Sequence, residues 1–217
     1  MRYHELVEDH ASDARNTDAA LFHKATIEGS ALIKRDCQPY LSQVKDPMKL
    51  RRGVSRDMKA DPSMGRPAFN KKSAHLTGRN PRGTQMKEHH DAVNDYFTSE
   101  FGFPFRNAVM TSGDQLQSSN FGVDVAVFPI GEFKFLWAPN VRDLNHEINS
   151  TWAVEIFGAH RFRDMERILI ELISKAGYQT TDLEKAIESK VEIMIWVEEY
   201  YTLDNNVDRM LAKKLLK

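Results

Sequence analysis

The order of periodicities along the chain predicts an α+β fold. Apolar residues recur at helical spacing across residues 17–44, and β-rich runs begin only after them. Strands then mix with helices without the regular alternation of a parallel α/β sheet. At 217 residues, 41% apolar and 28% charged, the chain has the balance of a globular protein, of a length that fits one large domain or a domain with a substantial extension, and no internal repeat divides it.

The elements follow in order. Leu21, Ala25, Ile33, Cys37 and Leu41 predict a helix over 17–44, with Gly29 a soft spot and Pro47 the stop. Residues 48–54 form a short strand candidate. Residues 55–84 carry three glycines and three prolines with few periodic apolar positions, so they read as a long loop. Val93, Tyr96, Phe97 and Phe101 predict a helix over 85–101, closed by Gly102. Residues 105–111 read as a strand and 113–120 as a turn or short helix. Residues 123–129 form a strongly apolar strand and 133–137 another, and 143–148 a helical turn. Residues 162–175 make the clearest amphipathic helix, with Met165, Ile168, Leu169, Leu172 and Ile173 on one face and Gly177 as its cap. Thr181 and Glu184 fit a capping box for a helix over 181–187. Strands at 191–197 and 200–203 and a basic helix at 206–217 complete the chain. The division expected is a helical extension over 1–47, an α+β core over 48–204 and a C-terminal helix over 205–217.

A single cysteine excludes an intrachain disulfide and a Cys-based zinc site, which suits a reducing, cytoplasmic compartment. No run of 18 apolar residues predicts a membrane span, and the N-terminus lacks the apolar stretch of a secretory signal. The net charge of −1 argues at first against anionic partners. It is a sum of opposites: residues 49–88 hold eleven basic against three acidic side chains, net +8, and the remainder is net −9. The basic stretch is either a solvated loop or a flap that meets phosphates.

Three short segments invite chemistry. In Arg51-Arg52-Gly53 a guanidinium fork stands beside a residue that lets the backbone turn closely around an anion; a solvated strand end is the plainer reading. Thr111-Ser112-Gly113-Asp114 sets hydroxyls at a strand-to-helix corner, where they either bond a ligand or cap the helix. Glu192 opens an apolar, β-branched run, and alternation gives it the same face as Met194 and Trp196, so a half-buried carboxylate there requires an Arg or hydroxyl partner. Among the eight histidines only the adjacent pairs His89-His90 and His146-Glu147 stand out, with no His-x-x-x-His, so no metal is expected. Neither nucleotide-loop pattern, G-x-x-x-x-G-K-[ST] nor G-x-G-x-x-G, occurs.

These segments resemble a family. Leu50-Arg51-Arg52-Gly53-Val54 is similar to the first core strand of ADP-ribosyltransferases of the arginine-serine-glutamate type. Met110-Thr111-Ser112-Gly113 resembles their Ser-Thr-Ser strand, and Glu192-Ile193-Met194-Ile195 the strand that opens with the catalytic glutamate. The order Arg, Ser, Glu agrees, and the likeness spans about residues 48–203. Asp36-Cys37-Gln38-Pro39-Tyr40-Leu41 before the Arg-Gly strand, and Arg79-Asn80-Pro81-Arg82 after it, resemble phage-encoded members, which would act in the host cytoplasm. The resemblance implies a split, mostly antiparallel β-core with a central cleft, and NAD as substrate. It implies that Arg52 binds the pyrophosphate side of NAD, with Arg51 and Gly53 shaping the pocket. Ser112, with Thr111, holds the glutamate or the nicotinamide ribose. Glu192 bonds the ribose 2′-hydroxyl and stabilises an oxocarbenium-like transition state. Phe121, Phe128 and Phe133 are the aromatic rings available to stack on nicotinamide. Two positions depart from the pattern: Lys190 stands where arginine-modifying members carry Glu or Gln, and Arg51 where an aromatic or small apolar residue is usual, which leaves open which arginine functions. The acceptor is a host protein, a nucleic acid or a small molecule, with no membrane partner. The alternative is a non-catalytic nucleic-acid-binding or phage structural protein that uses the basic 49–88 stretch.

Overall fold

The computed structural model describes residues 3–55, 67–77, 87–158, 162–205 and 207–217, with side chains from Ala19 onward in the first helix and from Asp164 onward in the helix that begins at Phe162. Among the described residues seven strands form one antiparallel sheet: β1 (Arg51–Val54), β2 (Phe69–Ser73), β3 (Val109–Ser112), β4 (Val123–Pro129), β5 (Lys134–Trp137), β6 (Glu192–Trp196) and β7 (Glu199–Asp204), in the order β2-β7-β4-β1-β3-β6-β5. The helices are α1 (Tyr3–Asp36), α2 (Gln38–Leu41), α3 (Lys87–Phe101), α4 (Gln115–Asn120), α5 (Leu144–Asn149), α6 (Ala153–Phe157), α7 (Phe162–Lys175), α8 (Leu183–Ser189) and α9 (Arg209–Leu216), with a 3-10 turn at Phe105–Asn107. The α+β expectation holds, with an antiparallel sheet.

Two apolar clusters hold the sheet. One gathers Ile33, Cys37 and Tyr40 of the N-terminal helices with Phe128, Trp137, Ile193 and Ile195, and with Leu183 and Ile187 of α8. The other packs Val93 and Phe97 of α3 and Leu169 and Ile173 of α7 against Leu136 and Met194. Successive residues of β6 therefore enter different clusters, as a strand covered on both faces requires. The sheet is unevenly laced. β1 and β4 share four registered pairs, and so do β3 and β6, but β1 and β3 share one, Arg51 with Ser112.

Several expectations are corrected. The N-terminal helix breaks at Cys37, before Pro47 is reached, and the Tyr40 hydroxyl donates to the Pro47 carbonyl at 2.9 Å. Gly29 is no soft spot: a Cβ there would sit 2.7 Å from the Phe69 ring, so the glycine admits that ring against α1. Phe69 belongs to β2, a strand inside the stretch read as a loop. Its lysines suit an edge strand, since charge there discourages further pairing. Residues 56–66 and 78–86 of that stretch, with Arg79-Asn80-Pro81-Arg82, lie outside the described residues. The strand expected at 105–111 starts only at Val109, after the 3-10 turn. The capping box of α8 does not form. Asp182 takes the cap position at φ +59° without a side-chain bond, and Glu184 instead accepts the Lys45 backbone N–H at 2.8 Å.

The N-terminal helix is tied to the far strand through Asp36. Its carboxylate accepts from Arg35 Nε at 2.7 Å and from the Tyr201 hydroxyl at 2.7 Å. Hydrogen bonding from Arg35, then from Tyr201, holds the Asp36 pKa at about 2. Burial, then Asp36 itself, pushes Tyr201 up to about 12. Tyr201→Phe is expected to cost about 1 kcal/mol at pH 7. Asp36 is depressed in the folded state, so its contribution is full above the unfolded carboxyl pKa and fades as pH falls through about 2. Urea unfolding at pH 7 and pH 2 should therefore show a gap between variant and parent that narrows in acid.

Candidate functional site

Ser112 ends β3 and Glu192 begins β6, and the two are direct antiparallel partners. Their side chains leave the same face, one rung pair away from Met110 and Met194. On the other side of β3, the partner of Ser112 is Arg51 of β1. An arginine, a serine and a glutamate thus lie in one row across three adjacent strands. Arg51 occupies the row where Arg52 was expected. Successive strand residues face opposite ways, and Arg52 instead runs toward β7, its Nη1 donating to the Tyr200 hydroxyl at 3.2 Å with the guanidinium 6.0 Å above that ring.

Each member of the row has its own partners. Arg51 is buried and pairs with Asp124, whose carboxylate also accepts from Ser118 Oγ at 2.6 Å and from Asn205. Ser112 donates to Gln117 Oε1 at 2.8 Å and accepts the Asp114 N–H at 3.0 Å. Glu192 accepts from Arg106 Nη1 at 3.0 Å, a pair whose side chains are 6% and 11% exposed. Sequence reading missed Arg106. It is presented by the 3-10 turn, and its backbone N–H is held by Asn94 Oδ1 at 2.9 Å. Asn94 in turn contacts His90 and Asn107, so a buried polar network from α3 braces the arginine. The only hint in the sequence is an arginine flanked by Phe105 and Val109 in a segment otherwise fit for the core.

The remaining candidates separate. Thr111 Oγ1 donates to the Ile193 carbonyl at 2.8 Å, so it staples β3 to β6 and does not face Glu192. A Cβ on Gly53 would run into the Ser118 carbonyl, so this glycine makes room for α4. Phe128 and Phe133 are core residues beside Tyr40, and of the three rings only Phe121, 65% exposed at the end of α4, is open to a ligand. The Tyr178 hydroxyl is buried and unpartnered among the described residues; burial, then the charge of Glu192, push its pKa well above the usual tyrosine range. Cys37 is raised to about 12 by burial and the nearby Asp36, which makes it an inert thiol.

A cleft of about 460 Å³ lies next to the Ser112–Glu192 end of the row, lined by Asp114, Pro139, Asn140, Arg142, Ser189, Lys190 and Val191; Arg51, Ser112 and Glu192 themselves are not among its lining residues. The Arg142 carbonyl ties its wall to the row, accepting the Glu192 N–H at 2.9 Å and Gln117 Nε2 at 2.8 Å. Burial opposes the charge on Asp114, but N–H groups of Leu116 and Gln117 and the Arg142 guanidinium outweigh it, and its pKa lies below the ordinary value. Among the described residues no three His, Cys, Asp or Glu side chains gather as a metal site needs, and no helix is long and apolar enough to cross a membrane. No protein-family model, curated protein or solved structure matches the chain.

Proposed function

We propose that the protein transfers ADP-ribose from NAD to an acceptor and releases nicotinamide. The observation that carries the reading is the register of Arg51, Ser112 and Glu192 across β1, β3 and β6, next to a cleft lined by their chain neighbours Asp114 and Val191. The same three residue types, in the same chain order, form the sequence resemblance. An ADP-ribosyltransferase-type core fits the antiparallel sheet, whose two halves meet at a single registered pair.

In this reading the bond between the anomeric carbon of the ribose and the nicotinamide nitrogen breaks, and its electron pair leaves with neutral nicotinamide. Positive charge grows on the sugar. The Glu192 carboxylate, bonded to the ribose 2′-hydroxyl, meets that charge and stabilises the transition state more than the ground state. The acceptor nucleophile then bonds to the anomeric carbon and loses its proton. Arg106 fixes the orientation of the carboxylate before NAD arrives. Arg51 takes the arginine position of the row, paired with Asp124; Arg52, on the opposite face of β1 and held at Tyr200, lies away from Glu192.

Purified protein is expected to release nicotinamide from NAD. Glu192→Gln should lower that rate by about 100-fold or more, with a melting transition that shows the variant folded. Protein that neither consumes nor binds NAD overturns the reading.

A further inference from the structure

Lys190 sits at the C-cap of α8 with φ +58°, the left-handed conformation that glycine adopts without steric cost. A lysine there is strained, and its exposed side chain lines the cleft beside Glu192. Across the cleft, Arg142 is steered by one contact, Nη2 to Asp114 at 3.0 Å, which leaves Nη1 and Nε directed elsewhere. Asn140 and Ser189 add neutral hydrogen-bonding groups. This is the composition of a phosphate subsite: two cations, two polar groups and one carboxylate already engaged by a guanidinium. A second feature adjoins it. Asp114 caps α4, and the other end of that helix carries Phe121, 65% exposed, with Leu116, 75% exposed, between them. Six helical residues span about 9 Å, or two to three stacked nucleotides at about 3.4 Å each. A cationic cleft followed at that spacing by an open aromatic ring suits a strand of nucleic acid better than an acidic peptide, which offers no flat base to stack.

We propose that the Lys190–Arg142 cleft and the Phe121 ring form one track for a single-stranded polynucleotide. Resting on the transferase reading, this makes the acceptor a nucleic acid delivered beside Glu192.

The test is fluorescence anisotropy of the full chain with a labelled oligothymidylate of about 12 nucleotides, without NAD, at 50 and 200 mM salt. Two phosphate contacts predict an affinity that falls about sevenfold between the two salts, and about 2.6-fold once either cation is removed, as in Lys190→Gly or Arg142→Gln. Phe121→Ala should weaken binding about tenfold. Lys190→Gly also relieves the backbone strain, so it should melt about 2–4 °C higher while binding less well. That result separates lost contact from lost folding. Absent binding, a flat salt response, or affinity unchanged in all three variants overturns the track. So does equal, equally sensitive binding of a labelled oligoglutamate, which assigns the surface to acidic polypeptides. Oligonucleotide binding without NAD consumption sinks the transferase reading and spares the track; NAD consumption without oligonucleotide binding does the reverse.

Discussion

Asp124→Asn is expected to cost about 3–5 kcal/mol, because it leaves the Arg51 guanidinium buried without its counter-charge. Both side chains are 5% exposed, so water cannot replace the lost partner. Arginine has no neutral form to retreat to near pH 7. Arg51→Met should cost less, since Asp124 keeps donors from Ser118 and Asn205. The order of the two single variants is thus the informative quantity, read by urea unfolding at constant slope. An Asp124→Asn variant within 1 kcal/mol of the parent would show that this pair does not hold the β1–β4 junction. Part of the cost should also fall on α4, because Ser118 loses a charged acceptor when the carboxylate becomes an amide.

The second large effect belongs to Arg106. Arg106→Met removes a charged partner of Glu192 in a setting where the two side chains are 6% and 11% exposed, at an expected cost of about 3 kcal/mol. In the transferase reading it also lowers nicotinamide release, because the carboxylate loses the contact that aims it. The double variant with Glu192→Gln separates the two consequences. Its stability should exceed the sum of the single effects by about 1–3 kcal/mol, since the residues are in direct contact. In the transferase reading its rate should match Glu192→Gln alone, because there Arg106 acts through the carboxylate. Strictly additive stabilities would mean that the two side chains do not sense each other.

The sequence made the periodic parts of this architecture legible. The apolar run of β4, the alternation of β6 and the stripe of α7 are local patterns, and each lies where its spacing puts it. The row of Arg, Ser and Glu was partly legible, since the residue types were visible in order. Which arginine joins it depends on a one-residue register between β1 and β3, and no local pattern sets that. The pairing of Arg106 with Glu192 joins positions 86 residues apart and leaves no periodic trace. β2 was hidden because an edge strand with lysines, FNKKS, has the composition of a solvated loop. The α8 cap misled because Thr181 and Glu184 have the right spacing, yet tertiary contacts claim both: the Thr181 carbonyl accepts from Trp137 Nε1, and Glu184 reaches Lys45.

The lone rung between Arg51 and Ser112 divides the sheet into two leaves, β2-β7-β4-β1 and β3-β6-β5. Arg51 finds Asp124 within the first leaf, and Arg106 finds Glu192 at the second. Each leaf therefore balances its own interior arginine. Besides the apolar core that both leaves share, a six-residue brace spans the join: α4 touches Ser112 through Gln117 and Asp124 through Ser118. A change in the angle between the leaves would therefore leave both arginine–carboxylate pairs intact, and what resists it is the apolar core the leaves share together with the hydrogen bonds of α4.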